Sequence, residues 1–118
     1  MIDFSYGQNA SGVTVVQLSG QLDPVSSDYF GECMEALVAS GAKLIVIDCR
    51  QIRLMSSLEL GALLKVRRRV KNAGGKVCLA HVNALLAEVL AISGLRRIFS
   101  IHSDTAAAVQ SMEQTMAA

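Results

Sequence analysis

The sequence predicts an α/β domain with a four- to five-stranded mixed, mostly parallel sheet flanked by about four helices. Three observations carry that reading. Runs rich in β-branched and aliphatic residues alternate with stretches of helical periodicity along the chain. Glycines stand where the helical stretches end, at Gly41, Gly74-Gly75 and Gly94. The composition, 52% hydrophobic against 18% charged in 118 residues, supports one core and argues against intrinsic disorder. No linker, repeat or low-complexity segment divides residues 1–118, which read as a single domain.

The elements follow in order. A short strand is expected around Asp3 to Tyr6, then a polar turn from Gln8 to Gly12. Val13-Thr14-Val15-Val16-Gln17-Leu18 is a β-branched strand that Gly20 interrupts. Asp23-Pro24 places an N-cap before a proline at the first helical position. The helix it opens shows Phe30, Cys33, Met34, Leu37 and Val38 at helical spacing and stops at Gly41. Lys43 to Asp48 is nearly continuously apolar, as suits a central strand covered on both faces. A second helix runs from about Ser57 to Ala73. Val77 to Ala80 is a short buried strand. Asn83 caps a third helix through Ile92, and Ile98 to Ile101 forms a last strand. Ser103 or Asp104 opens an Ala-rich terminal helix.

The global features exclude several function classes. The net charge of +1 gives no strong pull toward nucleic acid. No apolar run approaches the roughly 20 residues that span a bilayer, so direct membrane insertion is not expected. Met1-Ile2-Asp3-Phe4 lacks the basic and apolar regions of a signal peptide. Cys33, Cys49 and Cys78 are odd in number, with no CxxC pair. They read as small buried hydrophobes in a reducing compartment, which points to the cytoplasm. No phosphate-binding loop occurs, and His81 and His102 lack ligand-like spacing. No metal, cofactor or catalytic group is expected, and the chain reads as a non-enzyme.

The informative stretch is Met55-Ser56-Ser57-Leu58-Glu59, between the central strand and the second helix. Sites in open α/β sheets gather at such handovers. With Ser56 as N-cap, Glu59 falls at N3 and completes a capping box. Met55 and Leu60 then fall at N′ and N4, the positions of a hydrophobic staple. A capping serine needs no further role. The same hydroxyl would also suit a phosphate, which meets free N–H groups and the positive end of the helix dipole there. Glu59, one turn along, would repel that phosphate.

The second helix has two faces. Leu60, Leu63, Leu64, Val66 and Val70 share a side that should pack on the sheet, with Arg67 at its rim. Gly61, Lys65, Arg68, Arg69 and Asn72 lie opposite, with Leu58 and Ala62 beside them. That face is either ordinary solvated surface or a docking area. As a docking area it would offer Leu58, Gly61 and Ala62 as a small apolar patch with a basic border for an acidic partner.

Several landmarks occur in order: Gly20-Gln21-Leu22-Asp23, Leu44 to Asp48, Met55-Ser56-Ser57-Leu58-Glu59-Leu60-Gly61-Ala62-Leu63-Leu64, Gly75-Lys76-Val77, and Leu90-Ala91-Ile92-Ser93-Gly94-Leu95. Over residues 13 to 110 the sequence resembles a STAS domain of the anti-sigma factor antagonist subgroup. The resemblance implies a sheet flanked by helices and a partner that is an anti-sigma factor acting as a serine/threonine switch kinase. It places Ser56 on the phosphoacceptor position, with Ser57 next to it, and implies a phosphatase that restores binding. The face carrying Leu58, Gly61, Ala62, Lys65 and Arg69, an apolar area with a basic border beside the helix start, is the expected partner contact, together with Asp23. Met55 stands where the family has Asp and Leu58 where it has Gly, so the resemblance carries partner binding further than it carries phosphorylation. The competing reading is a STAS accessory subunit of a membrane lipid ABC transport complex, in which Ser56 is only a cap. The partner, the pathway and the oligomeric state are not legible.

Overall fold

The structure, a computed structural model, describes residues 2–20, 24–53, 55 and 57–117. Five strands and four α-helices are seen among them: β1 (Ile2–Gln8), β2 (Val13–Gly20), α1 (Pro24–Ala39), β3 (Leu44–Gln51), α2 (Ser57–Asn72), β4 (Lys76–Ala80), α3 (Ala84–Ile92), β5 (Ser100–His102) and α4 (Thr105–Ala117). The strands form one sheet in the order β1-β2-β3-β4-β5. β1 runs antiparallel to β2, and every later pairing is parallel. The mixed, mostly parallel sheet expected from the sequence is what forms.

The connections explain that pattern. β1 and β2 are joined by a tight turn in which Asn9 Oδ1 accepts the N–H groups of Ser11 and Val13 at 3.0 and 2.9 Å. Such a turn permits only an antiparallel pair, whereas each later connection contains a helix and permits a parallel one. The helix ends follow their glycines. At Gly41, with φ +103°, the N–H bonds the Val38 carbonyl and the next N–H, of Ala42, bonds that of Leu37. Gly74 and Gly75 repeat the arrangement on Lys71 and Val70. Both are Schellman ends, in which a left-handed residue at C′ lets two orphan carbonyls find donors.

Alternation along the strands divides the core between the two faces of the sheet. On one face Val16, Ile45, Ile47 and Leu79 meet Phe30 and Met34 of α1, Leu63 and Val70 of α2, and Leu86 and Leu90 of α3. On the other, Val13, Val46 and Cys78 meet Ala108 and Met112 of α4. β3 is covered on both sides, which accounts for its continuous apolar run.

Two local expectations are corrected. The last strand begins at Ser100, because Leu95–Arg97 form a 3-10 turn and the Leu95 carbonyl accepts the N–H groups of Ile98 and Phe99. Those two N–H groups are therefore committed before the strand starts. Cys33 is only half-buried, whereas Cys49 and Cys78 are buried as expected. Burial pushes the Cys49 thiol up to about 12 and the Cys78 thiol up to about 11, so neither offers a thiolate near neutral pH.

Candidate functional site: the start of α2 and the groove beside it

β3 hands over to α2 through residues 52–56, and α2 begins at Ser57, which is exposed. Ser56, the expected cap and phosphoacceptor, lies outside the described residues, as do Asp23 and the side chain of Leu58. The neighbours that the staple reading named are visible. Met55 and Leu60 are both buried in the same apolar cluster. Glu59 is only 6% exposed and is partnered, which is unusual for a carboxylate on the first turn of a helix.

A residue that sequence reasoning took only as a cap also holds this loop. Asn83 Oδ1 accepts the Leu86 N–H at 2.7 Å, capping α3. Its Nδ2 donates to the carbonyls of Ile52 and Arg53 at 3.1 and 2.9 Å. One side chain thus ties the start of α3 to the segment that leads into Ser56. The capping half of this role is legible as an Asn before a helical stretch. The clamping half joins positions 30 and 31 residues apart and has no local signature.

Beside the helix start lies a groove of about 620 Å³ between α1 and α2. Ser57, Gly61, Ala62, Lys65 and Arg69 form its α2 wall, and Met34, Val38 and Val66 line its apolar part. Four of the residues expected to bind a partner, Gly61, Ala62, Lys65 and Arg69, are therefore brought together, with Ser57 beside them. Gly31 and Gly61 both line the groove, and a Cβ added at either would meet nothing within 4 Å. The groove is open at its middle, with room for a partner side chain.

Its charge differs from the expected basic border. Asp28, Glu32 and Glu35 of α1 line the same groove. Arg69 Nε donates to Glu35 Oε1 at 2.7 Å across it. The face of α2 looked basic because its own sequence supplies cations, but α1 packs alongside and supplies carboxylates. The surface is mixed in charge.

The histidines, isolated in sequence, meet in space. His81 has φ +57° at the end of β4, and its N–H donates to the His102 carbonyl. His81 Nε2 accepts the Thr105 N–H at 3.2 Å, so that nitrogen carries no proton, and Arg50 Nη2 must be the donor in their 2.7 Å contact. The ring braces the ends of β3 and β4 against the start of α4. Among the described residues no group of His, Cys, Asp and Glu stands together to hold a metal, and no helix is long and apolar enough to cross a membrane.

The chain and its fold have counterparts in known proteins. The chain is 31% identical over 103 residues to the anti-sigma F factor antagonist of Paenibacillus polymyxa, covering 86% of this chain and 88% of that protein. It is 27% identical over 109 residues to the anti-sigma-B factor antagonist of Bacillus subtilis, covering 92% and 98%. Its fold matches the Bacillus cell fate determinant SpoIIAA in the phosphorylated form with a TM-score of 0.71, at 19% identity over 92% of this chain and 98% of that one. A model of the STAS domain matches residues 8–108, and the chain belongs to the STAS domain family.

Proposed function

We propose that the protein is an anti-sigma factor antagonist, a non-enzymatic regulator that works in the cytoplasm by binding an anti-sigma factor of the switch-kinase kind. The partner engages the α1–α2 groove, and the observation that carries this is the open groove lined at one end by Ser57, the residue after Ser56 in sequence. The curated relatives above are antagonists of this kind, which favours the reading over a transport subunit. The reading keeps Asp23, which precedes α1 in sequence, and Leu58, the second residue of α2, as partner contacts.

Ser56 is the phosphoacceptor in this reading, with Ser57 as the alternative acceptor. A phosphoryl group at the start of α2 would find unpaired N–H groups and the positive end of the dipole, which hold it in place. It would bring nearly two negative charges to the rim of the groove, beside the carboxylates that α1 already contributes. That charge expels the kinase, and a phosphatase restores the binding form. Glu59 is buried rather than displayed, so its carboxylate adds little to the exposed surface that a partner meets.

A pull-down with the cognate anti-sigma factor and ATP, followed by phosphosite mapping of the bound and released pools, tests this. The expected result is unmodified chain in the bound pool and phosphate on Ser56 in the released pool. A chain that never binds an anti-sigma factor defeats the proposal outright. Binding without modification, while the kinase modifies a known substrate, leaves a constitutive binder in which Ser56 is a cap.

A further inference from the structure

The opposite end of α2 carries a second concavity. A cavity of about 380 Å³ lies where the last turns of α2 meet the start of β4, the segment before β5 and the end of α4. Arg67 and Lys71, one turn apart on α2, and Lys76 on β4 bring three cations to it. Leu44, Val77 and Ile98 form its apolar wall, and no carboxylate lines it. Among the described residues none of the three cations forms an ion pair. Glu113, on α4, accepts a hydrogen bond from Ser11.

We propose that this cavity is a binding site for a small phosphate monoester, with the phosphate on Arg67, Lys71 and Lys76 and a compact apolar or aromatic body on Leu44, Val77 and Ile98. Three converging positive charges repel one another, and Arg67 is half-buried, where solvation of its charge is reduced. An anion removes both penalties. A dianion satisfies three cations better than a monocarboxylate, and a guanidinium with two ammonium groups supplies a planar fork plus rotatable donors for phosphate oxygens. The volume falls at the lower end of the range for small-molecule sites.

The scaffold holds this geometry in the absence of ligand. Lys76 N–H donates to the Lys43 carbonyl at 2.7 Å, and a Cβ at Gly75 would come within 2.2 Å of that same oxygen, so the turn and β3 are packed backbone to backbone. The Schellman end at Gly74 fixes the last turn of α2 against them. The frame fixes where the three side chains start, and binding orders only the side chains themselves.

The chemistry fits a free phosphate monoester or the headgroup of a phosphatidic acid, and the test separates them. The full chain is titrated at constant ionic strength with phenyl phosphate, inorganic phosphate and benzoate, and backbone amide shifts are followed. Saturable shifts are expected at Arg67, Lys71, Lys76, Val77 and Ser100 with phenyl phosphate, at least tenfold tighter than with inorganic phosphate or benzoate, and with Gly61 to Lys65 unmoved. Lys71→Glu, and separately Arg67→Gln, should weaken phenyl phosphate at least tenfold with an unchanged circular dichroism melt. In the other arm, vesicles of phosphatidic acid in phosphatidylcholine are sedimented with the chain. Co-sedimentation that Lys71→Glu abolishes supports the site and assigns its phosphate to a lipid headgroup. Three results overturn the proposal: phenyl phosphate no tighter than inorganic phosphate, shifts spread over every basic side chain, or affinities untouched by both variants.

Discussion

Two faces of α2 carry cations from one helix, yet they are different surfaces. On one, Lys65 and Arg69 face Asp28, Glu32 and Glu35 across a groove, and Arg69 is already paired. On the other, Arg67 and Lys71 line a cavity with Lys76 and with no carboxylate. Arg69 and Lys71 are separated by only about 3 Å of helical rise, so the surfaces differ by the neighbours each face of the helix meets and not by distance along it. A run of basic residues on a helix therefore says little until its neighbours are known. The mixed groove suits a protein partner, where steric fit and pairing across the rim decide. The unpaired cluster suits a small anion.

The largest structural effect is expected at the far end. Gly75→Ala should cost about 3 kcal/mol, the upper part of the overpacking range, because the added carbon meets the Lys43 backbone rather than a flexible side chain. A denaturant melt measures it, and a loss under about 1 kcal/mol would show that the two backbones separate easily. At the near end the counterpart is Asn83→Ala, which removes a cap and two bonds to the loop and should cost about 2 kcal/mol. Asn83→Asp keeps the cap and loses the donor. It should recover about half of that stability while still weakening partner binding, and equal loss in both variants would dismiss the clamp.

Gly61→Gln sharpens the contrast between folding and binding. The position is open, and glycine is a poor helix former, so stability should hold or rise by up to about 1 kcal/mol. Binding to the anti-sigma factor should fall at least tenfold, because the side chain occupies the middle of the groove. Calorimetry on the complex and a thermal melt of the free chain read the two effects. Unchanged affinity would remove this groove from the interface. At Ser56, Ser56→Ala should cost about 1 kcal/mol as a cap is lost and still bind, while Ser56→Asp, itself a good cap, should keep stability and weaken binding.

The smallest effect concerns the paired arginine. The side chains of Arg69 and Glu35 are 45% and 53% exposed, so the pair is worth under about 1 kcal/mol and is further screened by salt. Arg69→Glu should scarcely move the melt. Adding Glu35→Arg restores the pair with its polarity reversed. It should recover that small stability without recovering partner affinity, if the partner reads the charge of α2.

Much of this was legible in the sequence because the signals are local. Gly41, Gly74 and Gly94 end helices, Asn83 caps one, and Met55 and Leu60 fall at staple spacing; all of these act within a few residues. The α4 start was narrowed to Asp104 only by the bond from Ala107 N–H to Asp104 Oδ1. What the sequence hid depends on neighbours distant along the chain. The acidic wall of the groove comes from α1, the second task of Asn83 lies in a loop 30 residues earlier, and the far cavity draws on α2, β4 and α4. The last strand was placed two residues early because Ile98 and Phe99 are apolar, and apolarity alone does not reveal that their N–H groups are bonded to Leu95.

The central claim is that the partner reads the start of α2 and not its end. Hydrogen exchange of the complex with the anti-sigma factor, followed peptide by peptide against the free chain, addresses it most directly. The expected result is slowed exchange in residues 28–38 and 52–66, which hold the two walls of the groove and the loop that Asn83 clamps, with residues 71–77 and 95–100 unchanged. Slowed exchange at 71–77 and 95–100, with the groove peptides unaffected, would contradict it.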